Sequence, residues 1–172
     1  MSANVEQLLQ APMCRGLTAA EATSIAEIAE QQPLPKGALI FQESDAGDAL
    51  YLVVSGQVEI VKRDKGGIER QLAVLEAGAV VGEMTLVSEE TRRSATARAL
   101  TPLTLVKIPG ARFRELVAKD NVAALKLVRN FAQVMSKRLL AMDEKVVEAL
   151  SAAGGKKEEL GDFNKLLQGW SF

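Results

Sequence analysis

Apolar positions change their spacing twice along this 172-residue chain. Near the start they fall at Ala22, Ile25 and Ala29, with Ile28 beside the last, which is a helical stripe. Thr18 stands where an N-cap belongs, and Glu21 three residues later completes a capping box. Pro33 and Pro35 end this helix. From Ala38 to Ile108 short apolar or alternating runs are separated by turn residues. The predicted strands are Ala38–Gln42, Ala49–Ser55, Gln57–Arg63, Glu69–Leu75, Ser94–Ala99 and Thr101–Pro109. Val58, Ile60 and Lys62 alternate with Glu59, Val61 and Arg63, as on a half-buried strand. Asp64-Lys65-Gly66-Gly67 marks a hairpin tip. Short strands in this number predict a mainly β fold, a barrel or jelly roll, flanked by helices.

After Pro109-Gly110 the period becomes helical again, with a short helix at Ala111–Ala118 and a long one at 121–149. The long helix places Leu125, Val128, Ala132, Met135, Leu139, Met142, Val146 and Ala149 at alternating steps of three and four. That unbroken heptad register predicts a coiled-coil seam shared with the same helix of a second subunit. The other reading is a helix folded back on its own β-domain. The chain thus divides into a β-domain with its N-terminal helix (1–118), a long helix (119–150) and a tail (151–172). Ser151–Gly155 breaks the helix with small residues, and Lys156–Glu159 is a charged run. In the last stretch Phe163, Leu166, Leu167 and Trp170 fit one helical face, suited either to docking on a protein partner or to a terminus tucked against its own subunit.

Composition narrows the function classes. The apolar runs are too short to cross a bilayer, and the N-terminus lacks the basic start and apolar core of a secretory signal. The one cysteine, Cys14, cannot form an intrachain disulfide and reads as a small hydrophobe. These features favour the cytoplasm. No histidine is present, which removes the commonest general base and metal ligand. No metal, cofactor or catalytic residue is therefore expected. The net charge of -1 gives no strong overall field toward DNA or anionic lipid, so neither DNA nor membrane is an expected partner.

The chemistry concentrates between Val81 and Ala99. Gly82 permits close backbone approach to a ligand, and the N–H groups from Met84 to Leu86 can cradle anionic oxygens. Arg93 supplies a planar charged fork for a phosphate, and Glu83 suits a ribose hydroxyl. Ser94, Ala95 and Thr96 follow the arginine. Together these residues suit a small anionic sugar phosphate.

The segment VGEMTLVSEETRRSATARA closely resembles the phosphate-binding cassette of cyclic nucleotide-binding domains. Leu34-Pro35-Lys36-Gly37-Ala38-Leu39-Ile40-Phe41 and the block from Gly47 to Ile60 resemble the same family, in its order and spacing. The resemblance runs from about Leu17 to about Leu150 and implies a jelly-roll barrel followed by a long dimerisation helix. It implies that Gly82, Glu83, Met84 and Thr85 form the turn facing the cyclic phosphate, with Glu83 on the ribose 2′-hydroxyl. Arg93 would pair with the phosphate, Ser94 and Ala95 would complete the cassette, and Val74 and Val81 would wall the base. This chain departs from many members in having Val81 before Gly-Glu, Thr85 in place of a small alanine, and Arg92 in place of a proline. Arg92 is a competitor for the phosphate, although the register favours Arg93.

In bacterial transcription regulators of the family, the partner subunit's helix reaches the purine. The matching turn here holds Met142 and Asp143, of which Asp143 is able to accept from an exocyclic amine. The same regulators carry a winged helix-turn-helix after the long helix. The 22 residues 151–172 are too few and not basic enough for one, which points to a protein partner instead. The reading is a non-catalytic cyclic nucleotide receptor, with cyclic AMP favoured over cyclic GMP because Ser94 follows Arg93. The alternative is a dimeric scaffold with an empty pocket.

Overall fold

The computed structural model describes residues 3–86 and 92–152. In chain order the helices are α1 (Ala3–Gln10), α2 (Ala19–Ala26), α3 (Gly110–Ala118) and α4 (Val122–Ala152). The strands are β1 (Glu30–Leu34), β2 (Leu39–Phe41), β3 (Ala49–Ser55), β4 (Val58–Arg63), β5 (Glu69–Leu75), β6 (Val80–Val81), β7 (Thr96–Ala99) and β8 (Leu103–Pro109). They form two antiparallel four-stranded sheets, ordered β1-β8-β3-β6 and β2-β7-β4-β5. This is the mainly β jelly roll with flanking helices and a long helix after it.

The predicted capping box is present: Thr18 Oγ1 accepts from the Glu21 amide and Glu21 accepts from the Thr18 amide. Two strands escaped the sequence reading. In β1, Pro33, which stops a helix, is accommodated in a strand, because β1 lies at a sheet edge where a missing N–H is tolerated. Strand β6 is two residues long, too short for any periodicity. The alternation expected along β4 also fails at its far end. Val61, expected outside, is 2% exposed beside a register shift against β5, and Lys62 is exposed.

Strand β3 explains the continuous apolar run in the middle of the chain, because it is covered on both faces. Leu50 and Leu52 pack with Val106, Ile108 and Phe113 against residues of α1, α2 and the start of α4. Ala49, Tyr51 and Val53 face the other way, into the space between the sheets, with Val58, Val81, Ala97, Ala99, Leu103 and Leu105.

The chain divides into two compact units, the first ending at Phe131 and the second beginning at Ala132, so the boundary falls inside α4 rather than before it. In the first unit Ala123, Ala124, Leu127 and Phe131 of α4 are buried, and Asn130 donates to the carbonyls of Met13 (2.8 Å) and Arg15 (2.9 Å). The first turns of α4 thus fold back on their own β-domain. The predicted seam lies on a different face of the helix. Its Leu125 and Leu139 are exposed, while Val128 packs partly on the core. The side chains of Met142, Val146 and Ala149, and the tail from residue 153, lie outside the described residues.

Candidate functional site

Arg93 is the centre of the site. Its backbone is pinned to the loop before β3: the Arg93 amide donates to Asp45 O at 2.9 Å, and Ser44 donates to Arg93 O at 2.8 Å. Its side chain then turns inward and is only 5% exposed. The guanidinium donates through Nη1 to Gly82 O (3.3 Å) and Thr85 Oγ1 (3.2 Å), and through Nη2 to Asp48 Oδ1 (3.0 Å) and Ala49 O (2.8 Å). It lies over the Phe41 ring, 4.2 Å from the centroid, with Tyr51 5.9 Å away. Nε is buried and has no partner among the described residues.

Of Arg93's four acceptors, three are neutral. The one carboxylate, Asp48, is shared with Lys107, whose Nζ is 3.4 Å from Oδ2. Burial works against the charge on Asp48. Lys107, the residue's own amide and Arg93 outweigh that and hold its carboxyl below the usual aspartate range. Among the described residues, Arg93 and Lys107 thus share the one Asp48 carboxylate, and Arg93 has a donor to spare.

Gly82 is required by two independent constraints. Its φ is +75°, and a Cβ there would collide with Arg93 Nη1 and come 3.0 Å from Ala49 O. The 3-10 turn Glu83–Leu86 follows directly. Glu83 is half-buried and Met84 is exposed, while Thr85 is 1% exposed. The structure therefore brings Gly82, Thr85 and Arg93 together around the guanidinium, with Ser94 exposed and Ala95 half-buried just after it.

Val81 sits in the core between the sheets, opposite Tyr51. Val74 does not share that wall. It pairs with Glu59, which holds Arg98 at 2.7 Å, on the outer face of its sheet, and it is 38% exposed. Its inward neighbour Leu75, with Ile60, packs on the core instead. The misplacement is one residue in a strand whose period is two. Arg92, the other arginine considered for the phosphate, is exposed and donates through Nη1 to Ser44 O at 2.9 Å. Asp143 is an exposed residue of α4 in the second unit. The sequence reading gave no role to Asp48, to Phe41 or to Arg114, and considered Gly110 only within a hinge near Pro109–Phe113. The positions of Asp48 in the Gly47–Ile60 block and of Phe41 at the end of the Leu34–Phe41 block were the signals for those two.

The model of the cyclic nucleotide-binding domain matches residues 31–120. The chain belongs to this family. The match spans β1 to the end of α3 and so contains Gly82, Arg93 and the residues that hold them. Among curated proteins, the cyclic AMP receptor protein of Thermus thermophilus is 35% identical over 77% of this chain and 59% of its own length. Among solved structures, the catabolite activator protein of the same organism superposes with a TM-score of 0.70 at 32% identity, over 79% of this chain and 62% of that one. The c-di-GMP responsive global regulator of Xanthomonas campestris superposes at 0.65 with 26% identity, over 76% and 63%. The chain thus spans about three fifths of each of these relatives. As a cyclic nucleotide-binding domain, it carries the arginine of the cassette folded into its own barrel rather than extended toward solvent. Among the described residues no helix is long and apolar enough to cross a membrane.

Proposed function

We propose that this chain is a cytoplasmic, non-catalytic receptor for a cyclic nucleotide, with cyclic AMP favoured over cyclic GMP, and that it signals to a protein partner. The observation that carries this reading is the Arg93 guanidinium, buried, sharing its carboxylate with Lys107 and with Nε unpaired among the described residues. A cyclic phosphate supplies the missing anion, and Glu83 at the start of the 3-10 turn takes the ribose hydroxyl. Ser94, next to Arg93, is available to either purine. The relative named as a cyclic AMP receptor protein supports that nucleotide. The Xanthomonas relative makes c-di-GMP the competitor to test.

The receptor works as a homodimer through the 121–149 helix. The burial of Ala123, Ala124, Leu127 and Phe131 on the first unit leaves Leu125 and Leu139 on another face of α4, and these are the residues a second copy would cover. A nucleotide that binds one arrangement of the helix better than another shifts the population toward it, and the partner reads that shift.

The test is calorimetric titration of nucleotide-stripped full-length chain with cyclic AMP, cyclic GMP and c-di-GMP, with sedimentation of the same sample. The reading predicts micromolar or tighter binding of cyclic AMP to a dimer, with weaker binding of the other two. A folded dimer that takes up none of the three supports the scaffold reading instead.

A further inference from the structure

Arg93 is joined to helix α3 by a closed ring of contacts. One arm runs from Nη1 to Thr85 Oγ1 at 3.2 Å, and the Thr85 carbonyl accepts from Arg114 Nη1 at 2.9 Å. The other runs from Nη2 to Asp48 Oδ1 at 3.0 Å, and the Asp48 carbonyl accepts from the Gly110 amide at 2.8 Å. Gly110 opens α3 and Arg114 lies one turn on. The two residues that accept from the guanidinium through their side chains therefore hold the same helix through their own backbones.

Thr85 also fits α3 by shape. It is 1% exposed, and a Cβ on Gly110 would come 2.7 Å from Thr85 Cγ2 and 3.2 Å from Asp48 O. The methyl group occupies the space that this glycine leaves open. The hydroxyl can only accept from Arg93, because a guanidinium has no acceptor. An alanine, which many cassettes have at this position, makes neither contact.

We propose that Thr85 is a positioning residue that couples Arg93 to the first turn of α3, so that an anion bound at the arginine acts on that helix. The proposal rests on Arg93 being the phosphate-binding arginine. An anion that draws Nη1 toward itself loosens the bond to Thr85, and Thr85 passes the change to Arg114 and Gly110. The hydroxyl carries the coupling, and the methyl group carries the fit.

A double-mutant cycle in the ligand-free full-length chain tests this, read by hydrogen exchange of the segment 110–118. Thr85→Val keeps the shape and removes the hydroxyl, Thr85→Ser keeps the hydroxyl, and Arg93→Lys keeps the charge without the fork. Loss of one such bond accelerates exchange by about fivefold in Thr85→Val and in Arg93→Lys. The double variant exchanges no faster than the faster single one, and Thr85→Ser stays within about twofold of the parent chain. With saturating cyclic AMP, exchange in this segment speeds up in the parent chain and in Thr85→Ser but not in Thr85→Val, which has no such bond to loosen. Exchange in Thr85→Val equal to that of the parent, or effects that multiply in the double variant, overturns the coupling. Should Arg93→Lys fail to fold, Thr85→Val against Thr85→Ser decides it. A parent chain that binds no nucleotide removes the receptor reading, while the ligand-free cycle still decides the ring.

Discussion

Gly82 shows how one residue serves both fold and site. It needs a left-handed backbone, and it needs the absence of a side chain where Arg93 passes. Gly82→Ala meets both objections at once and is expected to destabilise the chain by about 1–3 kcal/mol. It should also push Arg93 off the Gly82 and Ala49 carbonyls. Urea unfolding measures the first effect, and loss of nucleotide binding at temperatures where the variant stays folded measures the second. An alanine variant as stable as the parent would mean that the turn after β6 differs from the one described here.

At the scale of elements, the N-terminal helices are fastened to the start of α4 by few polar bonds. Lys126 Nζ lies 2.7 Å from Glu21 Oε1 and 3.1 Å from Gly16 O. The bond from Lys126, with that from the Thr18 amide, holds the Glu21 carboxyl below the usual glutamate range. A carboxyl depressed on folding stabilises the fold above its unfolded value, about 4.3 for glutamate, and loses that contribution as pH falls through the lower folded value. The difference in stability between the parent chain and Glu21→Gln should therefore be constant from neutral pH down to about 5 and should shrink below about 4.3. Chemical denaturation across this range checks it, and a difference unchanged at pH 3 would remove Glu21 from the linkage.

Local rules read most of these elements from the sequence. Capping at Thr18, the turn at Asp64–Gly67 and the heptad in α4 each depend on residues near one another in the chain. What escaped depends on the sheet. Strand β1 is a strand only because β8 pairs with it, and Val61 is buried beside a register shift against β5 that no local pattern signals. Val74 missed its wall by a single residue for the same reason.

At the scale of the molecule, the cassette was legible because its residues are close in sequence. Gly82, Glu83, Thr85 and Arg93 lie within twelve positions of one another. The groups that hold the arginine were not. Asp48 and Ala49 precede it by more than forty residues, and Phe41 by more than fifty. Arg114 joins from a helix beyond both sheets. The same geometry makes the domain more than a cavity, since buried Arg93 is tied both into the sheet and to the helix α3. On α4, a second chain meeting the heptad face would cover Leu125 and Leu139, which are exposed in the single chain.

The most direct measurement of the central claim is the Arg93 Nε–H signal in a side-chain nitrogen NMR titration with cyclic AMP, assigned by its loss in Arg93→Lys. Among the described residues that proton has no partner, and the guanidinium shares its carboxylate with Lys107. The expected result is a saturable shift of this signal at one nucleotide per chain, together with the amides of Gly82–Thr85. A signal that stays in place while other parts of the protein respond would put the nucleotide elsewhere and contradict the account.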